Sequence, residues 1–299
     1  MANTTFTGPV RSKSTNGFQS VTVNATTGAE TTYGKLQGTH LKYTATTGYA
    51  PSDLIVGKGG SPANTVDPFA ESSSALFPLG TKLIYNDREF RYGKCGGTAI
   101  TAGKVVQSKA RVGADHTNCT ATAAVAAGQT AISIETNGTD ITADQYAEGY
   151  LWVNDVNGEG QCLRIKTHNA HDHSDDPSIS FTCYDDLATA LTTSSQLSLM
   201  ENPYSAVIVA PATHTGPAVG VTTIDTTADY YAWFQTGGPA AVLTDGTITL
   251  TGPGVRSEGT AGAVEVLDSD ADAEGQVLGQ TMAVNATTEY SLIWLNIGP

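Results

Sequence analysis

Short apolar runs that alternate with turn residues are the main pattern along this chain, and they are clearest between residues 216 and 266. The runs are rich in β-branched and aromatic residues and occupy positions 219–221, 230–234, 241–243 and 247–250. Turn signals close them at 237–239, Asp245-Gly246 and 252–254. Because Gly, Pro and Asp-Gly let a chain reverse tightly, this stretch predicts a compact antiparallel β module, with Asp245-Gly246 as the strongest hairpin signal.

A similar pattern runs from 106 to 205. Strands are predicted at 130–135, 150–154, 161–165, 179–184 and 196–200, with the third and fourth paired. Short helices are predicted at 142–148, capped by Thr142, and at 185–192, capped by Asp185 or Asp186. Cys162 and Cys183 lie in the paired runs and either face each other or are two buried free thiols. The segment predicts a small β-barrel or sandwich.

The remaining segments complete the predicted organisation. Residues 1–75 are weakly patterned and predict an extended N-terminal arm, and 76–105 predict a β-ribbon around Asn86-Asp87 followed by a connector. Residues 206–299 form the C-terminal β module, whose last run, 290–297, is apolar on nearly both faces, as in a central or interface strand. The fold class is therefore all-β with minor short helices: an arm, a ribbon and two small β-barrel or sandwich modules.

Charge narrows the range of partners. Charged residues make up only 15% of the chain, and the formal net charge is -14. All basic residues except Arg164, Lys166 and Arg256 precede residue 112, which suggests different surroundings for the two ends or simply an uneven solvated surface. Such an acidic chain repels nucleic acid and anionic membranes, so we expect neither as a partner. The first residues show no signal-peptide pattern, and we expect assembly in a host cytoplasm without export.

Two clusters have metal-ligand residue types. His168, His171 and His173 precede a pair of aspartates, and Asp268, Asp270 and Asp272 alternate as in calcium loops. Both clusters fall where polar loops are expected, so we predict exposed turns without a metal or other cofactor. The chain has no G-x-S-x-G motif, no phosphate-binding Gly loop with its Lys and no His framed as a base. We therefore expect a protein that is not an enzyme.

A family resemblance adds to these predictions. The opening Ala2-Asn-Thr-Thr-Phe-Thr-Gly-Pro-Val-Arg-Ser12, Asn16-Gly-Phe18, Leu76-Phe-Pro-Leu-Gly-Thr81 and Phe90-Arg-Tyr-Gly-Lys94 resemble segments of virion structural proteins from marine tailed phages. The 216–266 module resembles the β modules of capsid decoration, or cement, proteins. The resemblance covers about half the chain and implies a protein on the capsid surface of an icosahedral virion. Such proteins are often homotrimers that clamp neighbouring subunits of the major capsid protein.

Candidate contact residues follow from the basic front of the chain and its apolar end. We expect contacts with the capsid or a neighbouring copy from Arg11, Lys13, Phe18, Lys82, Arg88 and Arg91, and an oligomer interface from Tyr290, Leu292 and Trp294. The alternative is a tail-fibre or adhesion module that binds host-surface glycans through Tyr230, Tyr231 and Trp233. A major capsid protein is disfavoured because no stretch predicts its long spine helix.

Overall fold

The computed structural model describes residues 66–247, 252–267, 275–283 and 285–298, together with the backbone of three strands nearer the N-terminus. The chain divides into two compact units, residues 1–50 and 51–299. In the first unit, β1 (Gln19–Val23) pairs with β2 (Glu30–Lys35) as an antiparallel hairpin.

The second unit contains all the other strands: β3 (Ile55–Gly57), β4 (Lys82–Tyr85), β5 (Arg88–Lys94), β6 (Val105–Gln107), β7 (Cys119–Ala121), β8 (Ala131–Glu135), β9 (Tyr150–Asp155), β10 (Cys162–His168), β11 (Ser178–Cys183), β12 (Gln196–Met200), β13 (Ile208–Val209), β14 (Ala218–Thr222), β15 (Tyr231–Leu243), β16 (Pro253–Arg256), β17 (Val264–Val266), β18 (Val277–Thr281) and β19 (Tyr290–Asn296). The prediction of an all-β protein is confirmed.

Strands β7 to β12 close into a six-stranded barrel in the order β10-β11-β8-β7-β12-β9. Alternate residues of each strand point inward, so Ile132, Ile134, Leu151, Phe181 and Leu199 fill a hydrophobic core. The predicted pairing of β10 with β11 is confirmed, as is the hairpin between β9 and β10. Closure pairs every strand on both sides and leaves the barrel without an exposed edge.

The other strands of this unit form an eleven-stranded sheet. Its main path runs β13-β6-β14-β15-β19-β18-β16-β17, and the β4–β5 hairpin joins it through β15. The segments predicted as a separate ribbon (76–105) and C-terminal module (206–299) therefore share one sheet. Side chains such as Val242, Ile293 and Leu295 build one core of this sheet, and an aromatic cluster around Tyr92 and Trp233 builds another.

Two local predictions are corrected by the structure, and a third is left untested. The arm does not extend to residue 75, because Ser72 pairs with Tyr231 and the Glu71 carboxylate accepts two hydrogen bonds from Thr227. Strand β15 continues through residues 237–239, where a turn was predicted. The second strand of the Asp245-Gly246 hairpin lies mostly outside the described residues, as does most of the predicted arm.

The predicted helices at 142–148 and 185–192 are also wrong: both segments are turns and bends. In the first, Asp144 and Glu148 adopt positive φ angles of 55° and 62°, which end any helical run. In the second, the Leu187 and Leu191 N–H groups donate to the carbonyls of Gln129 and Val125 in the segment before β8. Among the described residues the only helix is a 3-10 turn, Ala114–His116, and none is long and apolar enough to cross a membrane.

Continuity of β15 depends on glycine. Gly238 has a φ of +77°, and a Cβ placed there would overlap the Asp87 carbonyl oxygen. The register against β5 shifts between Gln235 and Gly237, so the strand bends at this point. Its first half pairs with β5 and its second half with β19.

We expect Gly238→Ala to destabilise the protein more than Gly128→Ala does. Gly128 has a similar φ of +83°, but a Cβ there meets no described atom within 4 Å. The control should cost about 1–2 kcal/mol for the left-handed backbone alone, and Gly238→Ala at least about 1 kcal/mol more for the overlap. Urea unfolding of both variants measures the difference, and equal losses would show that the bend tolerates a side chain.

Candidate interaction surface

Strand β19 carries large apolar side chains on a face that is open to solvent. Tyr290, Leu292 and Trp294 leave 48%, 40% and 45% of their surface exposed. The alternate residues Ile293 and Leu295 point the other way and are buried in the sheet core. The predicted apolar character of both faces is thus accounted for by one core face and one solvent face.

Neighbouring strands extend this face. Directly paired residues of antiparallel strands project on the same side, so Ala241 lies beside Leu292, and Pro239 and Gln280 flank Trp294. Met282, which is 44% exposed, donates its N–H to the Leu292 carbonyl. We call Met282, Tyr290, Leu292 and Trp294 the apolar stripe.

The apolar stripe lies in a part of the sheet without charge. Segments 237–243, 277–282 and 290–296 contain no Asp, Glu, Lys or Arg, although the whole chain has 44 of them (15 basic and 29 acidic). The open face of an antiparallel sheet is normally polar. A contiguous apolar face bordered by polar residues is typical of a protein–protein contact.

Sequence reasoning identified three of the four stripe residues. The alternating run 290–297 indicated Tyr290, Leu292 and Trp294. Met282 was missed because only the pairing register between β18 and β19 places it beside Leu292.

The predicted capsid-contacting residues lie partly on the β4–β5 hairpin. Lys82 forms an ion pair of 2.5 Å with Glu89, and the Arg91 guanidinium donates to the Gly80 carbonyl. The Arg88 guanidinium lies 5.1 Å from the centre of the Phe69 ring. Arg11, Lys13 and Phe18 lie outside the described residues.

The three clustered histidines have separate structural surroundings. His168 is bonded through both ring nitrogens, and His173 Nδ1 lies 2.9 Å from the Thr136 hydroxyl. His168 and His171 are both buried, so the prediction of an exposed turn is wrong for these two residues. Neither ring nitrogen of His171 has a hydrogen-bond partner among the described residues. Across that part of the chain, no three His, Cys, Asp or Glu side chains come together as a metal site. Asp268, Asp270 and Asp272 lie outside it.

A buried polar network links two histidines through Tyr146. The Tyr146 hydroxyl lies 2.5 Å from His116 Nδ1, and its backbone N–H donates to His168 Nε2 over 2.9 Å. His168 Nδ1 faces the Asn169 carbonyl at 2.8 Å, so the ring is neutral with its proton on Nδ1. Burial lowers the pKa of His168, although the Asn169 carbonyl and the Asp144 carboxylate oppose this shift. Burial also raises the pKa of Tyr146.

Two of the aromatic candidates for glycan binding and one of the paired-strand cysteines have roles in packing. The rings of Tyr231 and Trp233 pack against Tyr92 in the aromatic core, with centroids 5.9 and 5.0 Å away. Cys162 and Cys183 are free thiols, but only Cys183 is buried, so the prediction of two buried thiols is wrong for Cys162. Burial raises the pKa of the Cys183 thiol to about 12. These residues are therefore not arranged as a binding groove or a disulfide.

Comparison with known proteins gives no relative: the chain matches no protein-family model, no curated protein and no solved structure.

We expect the stability of the fold to decrease as pH falls through the range in which His168 would become protonated. The folded-state pKa of His168 lies below its ordinary value of about 6.5, so the unfolded chain takes up the proton first. The free energy of unfolding should therefore fall from about pH 7.5 down to the folded-state pKa and level off below it. Protonation of Nε2 would also break the hydrogen bond from the Tyr146 N–H, because two donors would then face each other.

Urea unfolding between about pH 5 and 8 tests this prediction. In His168→Gln, whose amide oxygen can still accept the Tyr146 N–H, the pH dependence should be clearly smaller than in the wild type. His214→Gln is the control, because the hydrogen bond of His214 within the described residues is a long one, 3.5 Å to the Ser257 carbonyl. An unchanged slope in His168→Gln would rule out His168 as the source.

Proposed function

We propose that this chain is a non-enzymatic structural protein of a virus particle, which decorates an icosahedral capsid and assembles into a homotrimer through the apolar stripe. In this role it clamps neighbouring subunits of the major capsid protein. The observation that carries the proposal is the solvent-exposed, uncharged face of β18 and β19.

The charge of the protein explains why the interface would lie at the apolar stripe. Copies with a net charge of -14 repel one another, so they can approach closely only where each presents a neutral surface. The apolar stripe offers such a surface. Removing its half-exposed apolar side chains from water would stabilise the assembly by roughly 25 cal/mol per Å² of apolar area. Tyr and Trp are also the residue types that contribute most at such interfaces.

The capsid side of the proposal uses the basic front of the chain. The β4–β5 hairpin carries Lys82, Arg88 and Arg91, and the capsid-facing set also includes Arg11, Lys13 and Phe18. Support for this part comes from the uneven charge distribution and the family resemblance of the sequence. The adhesion alternative receives less support, because Tyr231 and Trp233, two of its three aromatic residues, pack in the core.

We expect the full-length protein to form trimers at micromolar concentration, about three times the chain mass of 30.9 kDa, and Trp294→Ser to be monomeric. Trp294 is nearly half exposed, so the substitution should lower affinity between copies more than it lowers stability. Sedimentation velocity measures both masses.

Leu76→Ser is the matched control, because Leu76 is more exposed than any stripe residue but does not belong to the stripe. It should leave the trimer intact. A monomeric wild-type protein would refute the trimer, and an unchanged oligomer in Trp294→Ser would refute the interface.

On purified particles of the virus that encodes this chain, we expect many copies on the head. A decoration protein binds repeatedly across the symmetric capsid, whereas an adhesion module occupies a few positions at the tail. Quantitative gel analysis relative to the major capsid protein, with immunogold labelling for location, distinguishes the two. A few copies confined to the tail would favour the adhesion alternative over decoration.

A further inference from the structure

A groove of about 380 Å³ lies at the Tyr290 end of the apolar stripe. Its floor is formed by residues 101–103, by the segment that follows β14, and by 239–241 of β15. Phe69, Arg88 and Tyr290 also line the groove. We call this the side groove. Its volume is in the range of small-ligand sites.

The floor of the side groove is fixed by internal hydrogen bonds. The Ala102 N–H donates to Asp225 Oδ1 over 2.8 Å, and the Thr222 hydroxyl donates to the Thr101 carbonyl over 2.8 Å. The Gly103 N–H donates to the Thr222 carbonyl over 2.7 Å. Because these bonds tie two loops together, the floor is formed before any ligand arrives.

The aromatic side chains of the groove are also held in place. Phe69, which is 39% exposed, makes edge contacts with Tyr85 and Phe90 at centroid distances of 6.1 and 6.2 Å. The ring of Tyr290 lies directly against Gly103, where a Cβ would overlap it. Two exposed aromatic rings are thus positioned by packing at one small groove.

The polar groups of the groove have balanced charge. Asp225 uses Oδ1 for the Ala102 N–H, and its Oδ2 has no partner among the described residues. The guanidinium of Arg88 is held near the rings of Phe69, Tyr85 and Phe90. The groove therefore offers a hydrogen-bond acceptor, several donors and two apolar rings, without net charge.

We propose that the side groove binds a neutral sugar ring. A sugar has hydroxyl groups that both donate and accept hydrogen bonds, which suits the Asp225 carboxylate and the Arg88 guanidinium. Its C–H faces carry slight positive charge and suit the negative faces of aromatic rings. The side groove shares Tyr290 with the apolar stripe, but its other contact groups, Phe69, Arg88 and Asp225, lie outside the stripe.

Other small ligands fit the groove less well. An anion would approach a protein of net charge -14 and meet the Asp225 carboxylate. A zwitterion such as an amino acid would depend on two ion pairs in an open groove, where solvent makes such pairs weak. A neutral sugar is not repelled by the acidic protein and does not depend on solvent-exposed ion pairs for binding.

The test is titration of the full-length protein with the methyl glycosides of glucose, galactose and mannose, followed by saturation-transfer NMR and calorimetry. At least one glycoside should bind saturably, with a dissociation constant on the order of 1 mM. Glucuronate, an anion, and phenylalanine, a zwitterion, are the comparison ligands and should bind more weakly.

Two variants locate the site. Asp225→Asn keeps an oxygen for the Ala102 N–H but removes the charge, and Phe69→Leu keeps an apolar side chain but removes the ring. Each should weaken glycoside binding at least about fivefold. Asp186→Asn, an exposed change in the barrel, and Trp294→Ser, a change in the stripe, should bind as the wild type does.

The possible outcomes separate the two proposals. Binding that is lost in both groove variants and kept in Trp294→Ser would support the sugar site whatever the oligomeric state. Absence of saturable binding by all three glycosides would overturn it, as would tighter binding of a comparison ligand. Binding that is unchanged in Asp225→Asn and Phe69→Leu would also overturn it.

Discussion

The bend in β15 is the constraint on which the large sheet depends. One strand of 13 residues pairs first with β5 and then with β19, so it connects the β4–β5 hairpin to the C-terminal strands. The change of partner occurs where Gly238 adopts a left-handed conformation beside the Asp87 carbonyl. A side chain at this position would push the hairpin away from the strand. The aromatic core around Tyr92 and Trp233 packs the β4–β5 hairpin against the first half of β15.

The barrel is an insertion into this sheet. The chain leaves the sheet after Gln107 and returns at Ile208, and these two residues are paired on adjacent strands. The two connecting segments are joined by an ion pair of 2.8 Å between Lys109 and Glu201. Because entry and exit lie side by side, the barrel can close around its own core without disturbing the order of the sheet strands. The buried His116–Tyr146–His168 network belongs to this core and satisfies polar groups there.

The solvent face of the sheet concentrates the features that bear on function. The apolar stripe and the side groove share one residue, Tyr290, whose ring lies against Gly103. The apolar stripe lacks charge, whereas the side groove combines rings with a balanced pair of charges.

The sequence by itself determined the strand content and most strand positions, because a period of two and the turn residues between runs are local signals. It also identified Tyr290, Leu292 and Trp294 as unusual, since alternation within one strand is visible without any partner. It could not show that residues 82–94 and 231–296 share a sheet, because pairing between distant segments leaves no mark on either one. It misjudged 237–239 and 142–148, where tertiary contacts and positive φ angles override turn and helix signals. Only the tertiary structure decided which face of β19 is open and placed Met282 beside Leu292. It also brought Phe69, Asp225 and Tyr290 to one groove. These three outcomes depend on strand register and long-range packing, which a local sequence pattern does not contain.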